Sequence, residues 1–112
     1  MMQPLFTSRF IDEILLKVIS LGDCYGYSIS KTISQITGDQ WQIKEATLYS
    51  GLRRLEKEAQ IHAYWGDETQ GGRRKYYGLT PTGHTTLTEG IANWQQTKTI
   101  MDNIFDWRTH HE

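Results

Sequence analysis

The chain has a single cysteine in 112 residues, Cys24. One thiol excludes an internal disulfide framework and a cysteine-based zinc finger, and it fits a reducing compartment. Long apolar runs are also missing. The longest, Ile14-Leu15-Leu16 followed by Val18-Ile19, is interrupted by Lys17 and falls far short of the roughly 20 residues of a membrane span. Met1-Met2-Gln3-Pro4 does not pair a charged region with an apolar one as a secretory signal does, so a cytoplasmic protein with no membrane partner is expected. Neither charge is in excess: 12 Lys+Arg stand against 13 Asp+Glu, a net of -1. At first sight this opposes a nucleic-acid partner, which normally wants a basic footprint.

What is present argues for a folded chain. The 38% hydrophobic and 12% aromatic content is that of a globular protein. The length suits one domain, or one domain with an added oligomerisation element. Phe10, Ile11, Ile14, Leu15, Val18 and Ile19 recur at steps of three and four, the mark of one helix face. Gly22 suits the position just past that helix. Gly26 introduces a second helix with Ile29, Ile33 and Ile36 inward, closed by Gly38-Asp39, and Trp41 and Ile43 read as a short extended piece. A third helix is predicted from about Lys44 to Glu58, with Leu48, Leu52 and Leu55 facing the core.

After Gln60 the period drops to two. Ile61, Ala63 and Trp65 form the buried face of a strand, against His62, Tyr64 and Gly66. Asp67 to Gly72 is a polar turn, and Arg73 to Thr80 is the returning strand. Thr80-Pro81 then caps and opens a last helix that runs to about Trp107, roughly 38 Å at 1.5 Å per residue. Along it Leu87, Ile91, Trp94, Met101 and Phe105, with Lys98 between, step by four and three like a heptad seam. So small a body cannot bury that stripe alone; it asks for a partner helix. The order predicts a mainly α fold with a small β-hairpin: a winged helix-turn-helix over residues 1–80 and a C-terminal dimerisation helix over 81–112.

Two constellations bear on function. On the third helix, Ala46, Ser50, Arg53 and Lys57 form a stripe opposite the leucines, with Tyr49 beside it. Small residues, a hydroxyl and two long cations suit entry into a DNA major groove, where Arg can grip guanine; an ordinary solvated face reads the same way. At the hairpin, Gly71-Gly72 precedes Arg73-Arg74-Lys75. Glycines let a tip follow a phosphate backbone, and the cations would neutralise phosphates; charge guarding an exposed edge is the simpler alternative. Divided along the chain, the net charge is -1 over residues 1–42, +2 over 43–83 and -2 over 84–112. The basic excess therefore falls on the third helix and hairpin.

Other chemistry finds little support. No Gly-Lys-Ser/Thr precedes a helix, so Gly71-Gly72-Arg73 is no nucleotide loop. His62, His84, His110 and His111 lack ligand spacing apart from the adjacent terminal pair, which reads as a tail. Cys24 reads as a packing residue between two helices. No Ser, His and acid arrangement is suggested by position. No enzyme, metal or cofactor is expected. Trp94, mid-seam, is open to two readings: packing core near a dimer axis, or the wall of an aromatic slot for flat ligands.

Tyr25-Gly26-Tyr27-Ser28-Ile29, Ala46-Thr47-Leu48-Tyr49 leading to Leu52-Arg53-Arg54-Leu55-Glu56, Gly72-Arg73-Arg74-Lys75-Tyr76-Tyr77 and Leu79-Thr80-Pro81-Thr82-Gly83 together resemble the PadR family of bacterial transcriptional regulators. The blocks stand in family order from about Phe6 to Phe105. The single C-terminal helix is similar to the small-subfamily, multidrug-sensing LmrR-like repressors. The resemblance implies a homodimeric, ligand-responsive repressor on a palindromic operator in double-stranded DNA. It implies that the helix containing Thr47-Leu48-Tyr49 enters the major groove and that the Gly72-Arg73-Arg74 tip contacts the backbone or minor groove. With the stripe, Thr47, Tyr49, Ser50, Arg53 and Lys57 are the candidates on the third helix for DNA contact, and Lys44, Arg73, Arg74 and Lys75 those for phosphates. The seam of Leu87, Ile91, Trp94, Met101 and Phe105 is the expected dimer interface, and the LmrR-like resemblance implies a planar aromatic inducer stacked on Trp94. Two helix ends depart from the family pattern. Lys44-Glu45-Ala46 stands where a run of Ser, Pro or Gly is usual, and Ala59-Gln60 where glycine is common.

Overall fold

A computed structural model describes residues 7–67 and 72–108. Helix α1 (Ser8–Ser20) is followed by a two-residue strand, β1 (Cys24–Tyr25). Helices α2 (Gly26–Ile36) and α3 (Glu45–Lys57) come next, then β2 (Ile61–Trp65), β3 (Lys75–Leu79) and the long α4 (Pro81–Phe105). The predicted hairpin is β2–β3, and β1 adds to its free side. The sheet is antiparallel with strand order β1-β3-β2. A two-residue strand shows no period, so sequence pattern alone misses β1. Trp41 and Ile43 are not in a strand; the Trp41 N–H and carbonyl are both bonded by the Thr37 hydroxyl, at 3.3 and 3.1 Å, and Ile43 is buried. The returning strand starts at Lys75, so Arg73 and Arg74 precede it.

The core is aliphatic. Leu15, Leu16 and Ile19 of α1, Ile29 of α2, Leu52 and Leu55 of α3 and Ile61 of β2 are fully enclosed. Truncating any of these leucines to alanine removes about 3–5 kcal/mol. Helices α1 and α3 cross closely because residue 51 is glycine; a Cβ there would lie 2.6 Å from Leu15 Cδ1. Beside that crossing the Arg54 guanidinium grips the Asp12 carboxylate bidentately, with Nε to the two oxygens at 3.2 and 3.1 Å. Arg54 is thereby committed to structure.

The inward stripes overrun the body at their ends. Ile36, predicted inward, is 63% exposed because α2 ends there, and Trp65 is 56% exposed because β2 continues past the helices. Leu87 leaves the predicted seam altogether: it is buried in the core of its own chain. The first turns of α4 lie against α1, with Gly83 and Gly90 buried as well. From Ile91 onward every described residue of α4 is exposed, Ile91, Trp94, Met101 and Phe105 among them. The helix projects from the body, and the molecule measures 66 × 33 × 20 Å.

The start of α4 is fixed to the end of α3. Thr80 Oγ1 accepts the Gly83 N–H at 3.1 Å and donates to the Ala59 carbonyl at 2.7 Å, while the Thr80 N–H reaches the Gln60 carbonyl at 3.1 Å. A side chain at Gly83 would run into that Gln60 carbonyl. No helix among the described residues is long and apolar enough to cross a membrane.

Candidate nucleic-acid interface

Lys44 is the residue that enters α3, in extended conformation, and its side chain makes no cap. Glu45 in the first turn supplies the negative charge that a helix N-terminus favours, and Arg54 and Lys57 supply positive charge at the other end. With Leu48, Leu52 and Leu55 buried, helical spacing turns Ser50, Arg53 and Lys57 outward. All three are exposed. Thr47, expected to contact the operator, is half-buried.

Tyr49 leans toward the start of α2. Its ring lies over Gly26, where a Cβ would stand 2.7 Å from the ring's Cζ, so a side chain there would push the tyrosine aside. The Tyr25-Gly26-Tyr27 segment is held by Ser28, whose Oγ accepts the Tyr25 N–H at 3.0 Å and donates to the Tyr25 carbonyl at 2.7 Å. Sequence reasoning did not assign Tyr25 or Tyr27 a place in the site. Their density of tyrosine around one glycine was the available signal.

The wing completes the arrangement. Gly72 is exposed with φ of 88°, a backbone conformation natural to glycine. Arg73 Nε donates to the Gly66 carbonyl at 3.4 Å, and the Gly66 N–H donates to the Arg74 carbonyl at 2.8 Å, so the chain stays paired just beyond β3. Arg74 lies over the Tyr25 ring at 4.6 Å. Lys75 meets Glu56 of α3 at 3.7 Å and lies 5.8 Å from the Tyr77 ring centre. Residues 68–71, including Gly71 of the predicted tip, lie outside the described residues, as do His110 and His111.

Three separate segments thus meet around one cavity of about 410 Å³. Its walls are Tyr25, Gly26, Tyr27, Tyr49, Arg74, Lys75 and Tyr77. Hydroxyls and two cations around an open concavity suit a phosphate. Burial pushes the Tyr77 phenol upward in pKa, with the nearby Glu56 charge adding to the shift. On the opposite sheet face Tyr25, Tyr76, Tyr64 and His62 pack ring to ring, and the Tyr64 hydroxyl donates to Asp23 Oδ2 at 2.6 Å. That bond pushes the exposed Tyr64 phenol up to about 12. Cys24 sits in β1 opposite Tyr77 rather than between helices. Burial first, and the Asp23 charge second, raise its thiol to about 11, which keeps it protonated and unreactive at neutral pH.

The interface predicted on α4 divides. Leu87 is internal, as described above, while Ile91, Trp94, Met101 and Phe105 are exposed. Trp94 packs edge-on against Phe10 of α1, centroids 6.2 Å apart, and remains half-exposed. Among the described residues no three His, Cys, Asp or Glu side chains come together to hold a metal ion.

Helices in this order, followed by a basic hairpin packed beside the third, define a winged helix-turn-helix protein. The model of the PadR-like family of transcriptional regulators matches residues 15–89. The chain belongs to that family; it is a transcriptional regulator and not an enzyme. Its fold is similar to that of a transcriptional regulator from Clostridium thermocellum, at 41% identity and a TM-score of 0.78, over 85% of this chain and 92% of the other. A PadR family transcription regulator from hypervirulent Clostridium difficile matches at 34% identity and 0.77, over 86% and 98%. Bacillus subtilis PadR, solved in complex with operator DNA, matches at 24% identity and 0.67, over 76% and 48%.

Proposed function

We propose that this regulator is a homodimeric repressor that binds a palindromic operator through α3 and the wing. The observation that carries the reading is the meeting of Tyr49, Arg74 and Lys75 with the start of α2 around one cavity, beside the exposed Ser50-Arg53-Lys57 stripe. In this reading α3 enters the major groove. Thr47, Ser50 and Arg53 meet base edges, and Tyr49 and Lys57 flank them. Lys44, Gly72, Arg73, Arg74 and Lys75 lie along the phosphates. Operator DNA on the similar Bacillus subtilis protein supports the same partner here. The basic excess on residues 43–83 supports it too, because it places the positive charge where the backbone would run. The acidic excess then sits on α4, away from DNA.

The second copy follows from α4. A projecting helix that leaves Ile91, Trp94, Met101 and Phe105 in water is unfavourable alone, and pairing with another such helix covers them. Residues 81–112 then serve as the dimerisation element and residues 1–80 as the DNA-binding unit. Trp94, held edge-on by Phe10 with half its surface open, supports an inducer role in which a planar aromatic molecule stacks between subunits.

The test is titration of the chain's own upstream DNA with the purified protein, alongside light scattering for mass. A retarded complex formed by a dimer, and lost on neutralising Arg73 and Arg74 together, is the expected result. A monomer with no preference for that DNA over random duplex would refute the reading. Quenching of tryptophan emission by planar aromatics, absent in Trp94→Ala, tests the inducer.

A further inference from the structure

We propose that Trp65 is an apolar DNA contact of the wing, its indole packing on the deoxyribose surface between the phosphates that Arg73, Arg74 and Lys75 follow; this rests on the DNA-binding reading above. Trp65 is the last residue of β2 and is 56% exposed. Its direct cross-strand partner is Lys75. The next residue, Gly66, bonds Arg74 through its N–H and Arg73 through its carbonyl, so the indole and the three cations share one paired segment.

Strand alternation places Trp65 on the face of β2 that also carries Ile61 and Ala63, and Ile61 is buried in the core. That face is turned toward α3, because Lys75, opposite Trp65, reaches Glu56 of α3 across it. Trp65 therefore stands beyond the body on the side where wing and α3 face each other. Among the described residues no hydrogen bond or ring contact engages it.

A large ring left in water beside Lys75, on a segment that carries two further cations, is a poor match for a second apolar protein surface. It matches a DNA backbone, where anionic phosphates alternate with apolar sugars. Cations meet the phosphates, and the ring covers a sugar. Such a contact adds affinity through buried apolar area, not through displaced counterions. It carries no base information.

The experiment compares wild type, Trp65→Ala and Trp65→Phe on the upstream duplex and on a random duplex, across a series of salt concentrations. Trp65→Ala is expected to weaken both duplexes about tenfold with the salt slope unchanged, and Trp65→Phe to keep most of the affinity. Trp65→Gln, which keeps length without the ring, gives the same reading should the alanine variant melt early. Wild-type affinity in Trp65→Ala and Trp65→Gln overturns the inference and leaves DNA binding standing. A shallower salt slope in those variants also overturns it, since the loss would then come from displaced cations. Failure of the wild type to bind either duplex at low salt overturns both readings.

Discussion

Helices α2 and α3 end on the same backbone device with different residues, and exchanging those residues should move stability in opposite directions. At the end of α3 the Gln60 N–H donates to the Leu55 carbonyl at 2.9 Å and the Ala59 N–H to Glu56 at 3.0 Å. At the end of α2 the Asp39 N–H donates to Ser34 at 2.8 Å and the Gly38 N–H to Gln35 at 3.2 Å. Both are Schellman closures, which need a left-handed residue just past the helix. Ala59 supplies it at φ 59° and Gly38 at φ 58°. An L-residue pays about 1–2 kcal/mol for that conformation, and glycine's extra freedom in the unfolded chain returns about 0.5–1 kcal/mol. The net gain from Ala59→Gly is then about 0.5–1 kcal/mol. Gly38→Ala should lose a similar amount, because a Cβ there meets nothing within 4 Å and packing contributes nothing. For a domain of this size the shifts are about 2–4 °C in melting temperature. Thermal melts followed by far-UV circular dichroism measure both variants, at one fixed protein concentration because self-association raises Tm. An Ala59→Gly protein that melts at or below the wild-type temperature would refute the left-handed assignment.

Four further outcomes are expected. Gly83→Ala, whose methyl would meet the Gln60 carbonyl, should lose at least about 1–3 kcal/mol in urea unfolding through overpacking; an unchanged midpoint would mean that the start of α4 is free to shift. In ultraviolet titration one tyrosine should ionise near pH 12, and Asp23→Asn should bring it back toward 10. The folded state favours the protonated phenol, so the stabilisation from this bond is complete below about pH 10 and fades as pH rises toward 12; the same titration curve in both proteins would dismiss the bond. Arg53→Ala should cost about 1–3 kcal/mol at one operator position if its guanidinium reads a guanine. Arg73→Ala should weaken every duplex and lower the salt slope by about one phosphate. A uniform loss in the first, or a sequence-specific loss in the second, would exchange their roles.

The α3 stripe could be read in advance because it is a local property: a 3.6-residue period with leucines on one side fixes which residues point away. The wing cations could be read as a cluster, but not their engagements. Arg74 over Tyr25 and Lys75 beside Glu56 join residues 49 and 19 positions apart, and no local period encodes such pairs. Spacing put Arg53 on the outward stripe but gave Arg54 no partner. The approach of α1, permitted by Gly51, brings Arg54 onto Asp12.

The sequence by itself determined the order of the four helices and the β2–β3 hairpin, the leucine and isoleucine faces of α1 to α3, the Thr80-Pro81 start of α4 and the lack of any stretch apolar enough to span a membrane. Each follows from periodicity or from the chemistry of one or two adjacent residues. Tertiary structure alone decided where those faces stop being buried. Leu87 belongs to the core while Ile91, one turn on, does not, because α4 leaves the body there. The near-zero net charge and single cysteine excluded much, but they could not place the cavity between Tyr25, Tyr49 and Arg74. That site exists because strand pairing brings the wing back beside α2, and its location is a property of packing.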